Sequence, residues 1–195
     1  MFKAWQAFRT ALLAFSLATP AWAYDVPLTE NSIRDAYFLG SSEGGLKSDF
    51  LATYARWIPD LKQGNCTSQA RIETPFLQVA NYSAKVPNYS AQNAVKEFFG
   101  KPLSFRIYLD VCYRVHAPAS AIRVKIIQNK KELLSDSFEN SPYSEPTDSG
   151  FLPPNGEQIV MKFAAGKIDS SDLTIFIDAT DGHHATVEFD LQPLR

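Results

Sequence analysis

Two neighbouring histidines beside two aspartates are the first feature of this sequence that suggests chemistry. His183 and His184 follow Asp178 and Asp181, and imidazole and carboxylate groups are common metal ligands. Successive residues of a strand point to opposite faces, however, so the two histidines cannot chelate one ion together. We therefore expect a polar hairpin tip here, and the sequence predicts neither a metal site nor a cofactor.

A hydrolase is the enzymatic alternative. Ser149 could be combined with His116, and Glu139 and Glu145 could act as the two carboxylates of a glycosidase. The chain has no nucleophile elbow, no His-Glu-x-x-His helix and no phosphate-binding glycine loop. No catalytic residue is therefore predicted, and a hydrolase that uses the 139–158 loop and nearby histidines is kept as the alternative.

The stretch from 139 to 158 is rich in Pro, Ser and Gly and is predicted to be a long loop. Loops of this length are uncommon unless they are functional or disordered. Because it carries Tyr143 and Phe151, the loop is also one of two candidate contact surfaces.

The other candidate surface is a short duplication, VANYSAKVPNYSAQN, between Val79 and Asn93. Pro87 interrupts any continuous helix, and the spacing of seven would send Tyr82 and Tyr89 to opposite faces of one strand. The first copy is therefore predicted to end a strand, with Ser90 of the second copy capping a short helix over 91–99. The two tyrosines either contact a ligand or simply anchor a polar loop.

The first 23 residues have the pattern of a secretory signal peptide. Lys3 and Arg9 precede a short apolar run over 10–18, and Ala21 and Ala23 supply the small residues of a cleavage site. The sequence predicts export to the periplasm or the extracellular medium as one domain, 24–195, with no membrane insertion after cleavage.

Charge and cysteine content agree with that location. The whole chain carries 19 basic and 21 acidic residues, so it has no electrostatic reason to bind nucleic acid. Export places Cys66 and Cys112 in an oxidising compartment, where a lone pair of cysteines usually forms a disulfide. We predict that bridge.

Hydrophobic periodicity changes once along the mature chain. Helical spacing over 28–41 and 46–60 predicts a helical hairpin within 24–62, and 63–100 is a connection of strand, loop and short helix. Strict alternation begins at Leu103 and predicts antiparallel strands over 101–195. The fold class is α+β, a helical hairpin packed on a mostly antiparallel β-sandwich.

The alternation also predicts how these layers are arranged. Cys112 lies on the polar face of the strand with Tyr108, opposite the apolar face. A bridge to Cys66 would hold the helical hairpin across the outer side of the sheet and cover Tyr108.

Three segments carry a resemblance to known sequences: SIRDAYFLG (32–40), TPFLQVANYS (74–83) and SAQNAV (90–95). They resemble a group of uncharacterised bacterial exported proteins with a mature N-terminal Ile-Arg-x-Ala-Tyr-Phe-Leu-Gly segment. The resemblance implies bacterial export and a shared domain, and no activity comes with it. We therefore expect a non-enzymatic domain that binds or scaffolds, with a protein, peptide or glycan as its partner.

Overall fold

The structure is a computed structural model. It describes residues 26–43, 45–63, 66–112, 122–143, 146–147, 150–151, 156–179 and 182–194. The predicted signal peptide lies outside these residues. Within them, no helix is long and apolar enough to cross a membrane.

The described residues include four α-helices, all in the N-terminal half: α1 (Glu30–Ser41), α2 (Ser48–Ala52), α3 (Pro75–Lys85) and α4 (Ala91–Phe98). Three of them begin at a hydroxyl cap, because Thr29, Thr74 and Ser90 each accept a hydrogen bond from a first-turn backbone N–H. The predicted first helix and the predicted cap at Ser90 are confirmed.

The strands form two main antiparallel sheets. The first sheet has the order β1-β2-β3-β9-β6: Ala55–Gln63, Cys66–Glu73, Ser104–Cys112, Gly156–Ala164 and Ser137–Tyr143. The second has the order β11-β10-β4-β5: His184–Phe189, Leu173–Ala179, Ile122–Gln128 and Lys131–Leu133. A small ribbon pairs β7 (Pro146–Thr147) with β8 (Gly150–Phe151).

The apolar faces of both sheets meet in one core. Strand β3 contributes Phe105, Ile107 and Leu109, all fully buried, and the second sheet contributes Ile175 and Ile177 to the same cluster. The alternation predicted from Leu103 onward is therefore confirmed as far as Cys112, and the coarse prediction of helices with two antiparallel sheets is confirmed as well.

The second predicted helix is wrong over most of its length. Helix α2 ends at Ala52, and β1 occupies the region from Ala55. Ile58 is buried in the core while its neighbour Trp57 is 67% exposed, so pairing with β2 outweighed the helical spacing. The β1–β2 ladder shifts register between Trp57 and Lys62; this interval contains Pro59, which has no N–H to donate and is tolerated because β1 is an edge strand.

Two predictions for the middle of the chain are also wrong. The first copy of the duplication lies in α3 rather than at the end of a strand, since Thr74 caps the helix and Pro75 fills its first turn. The predicted 139–158 loop is largely paired, because β6 continues to Tyr143 and β9 begins at Gly156.

The helices cover the outer side of the first sheet only in part. They form a second apolar cluster among themselves, made of Leu28, Ile33, Ala36, Phe76, Val79, Ala80 and Ala94. The apolar stripe of α1 is thus buried against α3 and α4, while α2 and α3 line a cleft against the sheet. Tyr108 is accordingly half-buried rather than covered.

Candidate ligand-binding cleft

The outer face of the first sheet, the side turned away from the core, carries aligned polar side chains. Arg71 on β2 pairs with Tyr108 on β3, Glu73 pairs with Arg106, and Gln69 pairs with Asp110. Directly opposite residues on one face of an antiparallel pair lie within side-chain contact. The register therefore assembles six polar side chains on β2 and β3.

Asp110 is the first centre of this arrangement. Its side chain is only 7% exposed. Arg71 donates to Oδ2 at 2.8 Å, and Gln158 of β9 donates to Oδ1 at 2.7 Å. Both carboxylate oxygens thus have donors, as a buried carboxylate requires.

Glu73 is the second centre, and it joins the sheet to α3. Its Oε2 accepts from the Tyr108 hydroxyl at 3.0 Å and from Arg106 Nη1 at 3.3 Å, while Oε1 accepts from Asn81 at 3.0 Å. Burial raises the pKa of the Tyr108 phenol, and the bond with Arg106 opposes that rise. Asn81 belongs to the first copy of the duplication, so this part of the motif has a structural role in the network.

Part of this network lines a cleft of about 630 Å³ between the sheet and helices α2 and α3, which we call the β2–α3 cleft. Arg71, Glu73 and Tyr108 form its sheet wall, and Asn81 and Lys85 belong to the helix wall. Its volume lies within the range of small-molecule sites, about 300 to 1,000 Å³. The cleft therefore combines space with convergent polar groups.

Arg71 is a partly exposed donor in the cleft. Its side chain is 44% exposed, and its guanidinium carbon lies 5.5 Å from the centre of the Tyr108 ring. The bond to Asp110 is its one hydrogen bond to described residues, although a guanidinium has five N–H donors. The remaining donors are free for a ligand.

An aromatic side chain stands next to the cleft. Trp57 is 67% exposed and is the cross-strand partner of Gln69, which lines the cleft together with Ala55. Residues two apart on a strand share a face, so Trp57 continues the cleft wall onto the edge strand.

The candidate contact residues from the sequence fall into two groups. Tyr82 and Tyr89 meet edge to face at 5.3 Å, and Tyr82 also contacts Phe98 at 5.4 Å. The two copies of the duplication thus contact each other between α3 and the segment that leads into α4. Tyr143 and Phe151 lie in β6 and β8, but their side chains are outside the described part of the chain.

A second cavity, of about 440 Å³, lies where residues 26–28 meet the end of β9. Its lining is mainly apolar, with Leu28, Leu103 and Phe163 among its residues. The charges near it are paired, in the ion pairs Lys101–Glu97, Lys162–Glu139 and Lys167–Asp136. Fewer polar side chains line it than line the β2–α3 cleft, and we therefore favour the β2–α3 cleft.

The groups proposed for a hydrolase are not brought together among the described residues. His184 contacts Asp178 at 2.7 Å on an exposed hairpin of the second sheet, whereas Glu139 pairs with Lys162 on the first sheet. His116, Glu145 and Ser149 lie outside the described ranges. Within those ranges, no three His, Cys, Asp or Glu residues are grouped so that they could hold a metal ion.

Comparisons with protein-family models, curated proteins and solved structures give no match. The function is therefore argued from the cleft. Sequence reasoning did not select Arg71, Glu73 or Asp110, although the polar positions of β3 were recognised as one face. The missing information was the register that aligns β3 with β2.

Proposed function

We propose that this chain is an exported, non-enzymatic binding domain, a β-sandwich with a helical end, whose ligand occupies the β2–α3 cleft. One observation carries the proposal: Arg71, which is paired with Asp110 and has more N–H donors than that pair uses, lines a 630 Å³ cleft. A donor fixed before the ligand arrives loses less entropy on binding.

Export of the chain and a disulfide between Cys66 and Cys112 form the second part of the proposal. The signal-peptide pattern and the resemblance to bacterial exported proteins support export. Cys112 is 2% exposed and carries no free thiol, which supports a bridge to Cys66. The exported-hydrolase alternative has less support, because His184 is 74% exposed and lines neither of the two cavities described above.

Fragment mapping by NMR tests the binding function without a known ligand. The folded mature chain is titrated with isopropanol, acetamide and phenol, and backbone amide shifts are followed. We expect shifts concentrated at residues 69–73, 81–85 and 108–110, because small fragments gather where apolar surface and free polar groups coincide.

A pair of arginine variants gives this experiment its control. Arg71→Gln should weaken fragment binding in the cleft, whereas Arg123→Gln, on an exposed position of β4, should leave it unchanged. Shifts confined to residues 101–104 and 163–166 would assign the ligand site to the apolar cavity and overturn the proposal.

A further inference from the structure

Two of the three charged residues that line the β2–α3 cleft are held in ion pairs. Arg71 pairs with Asp110, and Glu73 pairs with Arg106. Among the charged residues that line the cleft, Lys85 is the one outside an ion pair in the described part of the chain. A strongly charged ligand would have to compete with these pairs, whereas a neutral ligand leaves them intact.

The cleft presents donors and acceptors side by side. Arg71 and Asn81 carry N–H donors beyond those they use internally, and the Gln69 amide supplies one donor group and one acceptor group. A hydroxyl group both donates and accepts. Vicinal hydroxyls therefore match this mixture, while a carboxylate or phosphate could only accept.

Trp57 adds an apolar surface at the end of the same face. An indole that is 67% exposed offers a flat area that can be covered without distorting the fold. The C–H faces of a pyranose ring carry slight positive charge and pack against the negative face of an aromatic ring. Hydroxyls at one edge and C–H groups on one face are combined in sugars.

We infer that the β2–α3 cleft binds a neutral glycan, with one sugar ring on Trp57 and the hydroxyls of the next ring on Arg71, Gln69 and Asn81. This inference rests on the proposed binding function and specifies its ligand class. The cleft length along β2, from Gln69 to Glu73, fits a short oligosaccharide, since five residues of a strand extend about 13 Å.

The test is isothermal titration of the mature chain with four defined hexasaccharides. Cellohexaose, maltohexaose and chitohexaose are the neutral probes, and hexagalacturonate is the anionic probe. We expect binding of at least one neutral probe, with an affinity that changes little between about 50 and 500 mM NaCl, because an uncharged ligand has no ionic attraction to screen.

Two variants link binding to the proposed surface. Trp57→Ala should weaken binding of the neutral probe at least about tenfold, in the range of an aromatic contact residue. Phe38→Ala is the matched control, because Phe38 is 62% exposed on α1 and lies away from the cleft lining. The Phe38→Ala variant should bind the neutral probe with the same affinity as the wild type.

Three results would overturn the inference. They are tighter, salt-sensitive binding of hexagalacturonate, no binding of any neutral probe, and equal affinity of Trp57→Ala and wild type. If any one of these results is obtained while the NMR fragments still bind at residues 69–73, the inferred ligand class is wrong and the proposed binding function stands. If fragments avoid the cleft, the binding function itself fails.

Discussion

Gly40 allows α1 and α3 to cross in direct backbone contact. A Cβ atom built on Gly40 would lie 2.0 Å from the carbonyl oxygen of Ala80. Gly40→Ala in a helix would normally stabilise by about 0.5–1 kcal/mol, but here we expect it to destabilise the fold by about 1–3 kcal/mol because the helices must separate. Urea denaturation measures the change.

Gly166→Ala is the control for that substitution. A Cβ atom on Gly166 meets no heavy atom within 4 Å, and its backbone is not in the left-handed region. We expect a change in unfolding free energy within about 0.5 kcal/mol. Equal stability of the two variants would show that the approach of α1 to α3 is not sterically limited.

Tyr108 should make stability depend on alkaline pH. Burial raises the pKa of its phenol above the ordinary value of 10.0. When the pH exceeds the pKa of this phenol in the unfolded chain, the folded state binds more protons than the unfolded state. The free energy of unfolding therefore falls as the pH rises. The contribution is fully present below about pH 10 and is lost as the pH passes the folded pKa.

Comparison with Tyr108→Phe isolates this effect. From about pH 9 to about pH 11, the wild type should lose more stability than the variant in chemical denaturation. Tyr89, whose pKa is also raised by burial and then by Tyr82, is present in both proteins and does not affect the difference. Parallel profiles would show that Tyr108 titrates normally.

At the scale of elements, the β4–β5 hairpin turns on two residues in the left-handed region. Asn129 has φ of 51° and Lys130 has φ of 62°. This conformation costs a non-glycine residue about 1–2 kcal/mol, although Asn tolerates it. Lys130→Gly should therefore increase the free energy of unfolding by about 0.5–1 kcal/mol, after the conformational entropy that glycine loses on folding is subtracted. The increase should appear as a higher thermal unfolding midpoint.

Lys131→Gly serves as the comparison, because Lys131 begins β5 and pairs with Gln128. Glycine weakens an extended strand position, so we expect a small loss of stability. A gain in both variants would indicate an effect of removing charge rather than relief of the turn.

At the scale of the whole molecule, the proposed Cys66–Cys112 bridge would join the β1–β2 hairpin to the end of β3. Reduction should cost about 2–5 kcal/mol of unfolding free energy, as is typical for a small exported domain. Denaturant titrations with and without dithiothreitol measure this. The Cys66→Ser/Cys112→Ser double variant should be unaffected by the reductant.

Thiol counting provides the direct check on this bridge. A protein comprising residues 24–195, unfolded without reductant, should have no thiol that reacts with a thiol reagent. Two reactive thiols per chain would refute the bridge, and a disulfide-linked dimer would refute the pairing within one chain.

The β-sheet core could be predicted from the sequence because its signal is local. The alternation from Phe105 to Val111 assigns each side chain to one face, and the structure buries that apolar face. The cap at Ser90 is local as well, since the hydroxyl bonds the N–H three residues later. The predicted element boundaries were wrong where local signals conflicted. At Ile58, for example, the helical spacing predicted a helix, but the segment pairs with β2 as a strand.

Residue types, periodicity and caps were thus determined by the sequence alone, including which face of β3 is polar. The tertiary structure decided which polar residues meet. Arg71 and Asp110 are 39 positions apart, and Glu73 reaches both Tyr108 and Asn81 only through the β2–β3 register and the start of α3. Such contacts depend on register and helix placement, which are set by packing across the whole domain rather than by any one segment.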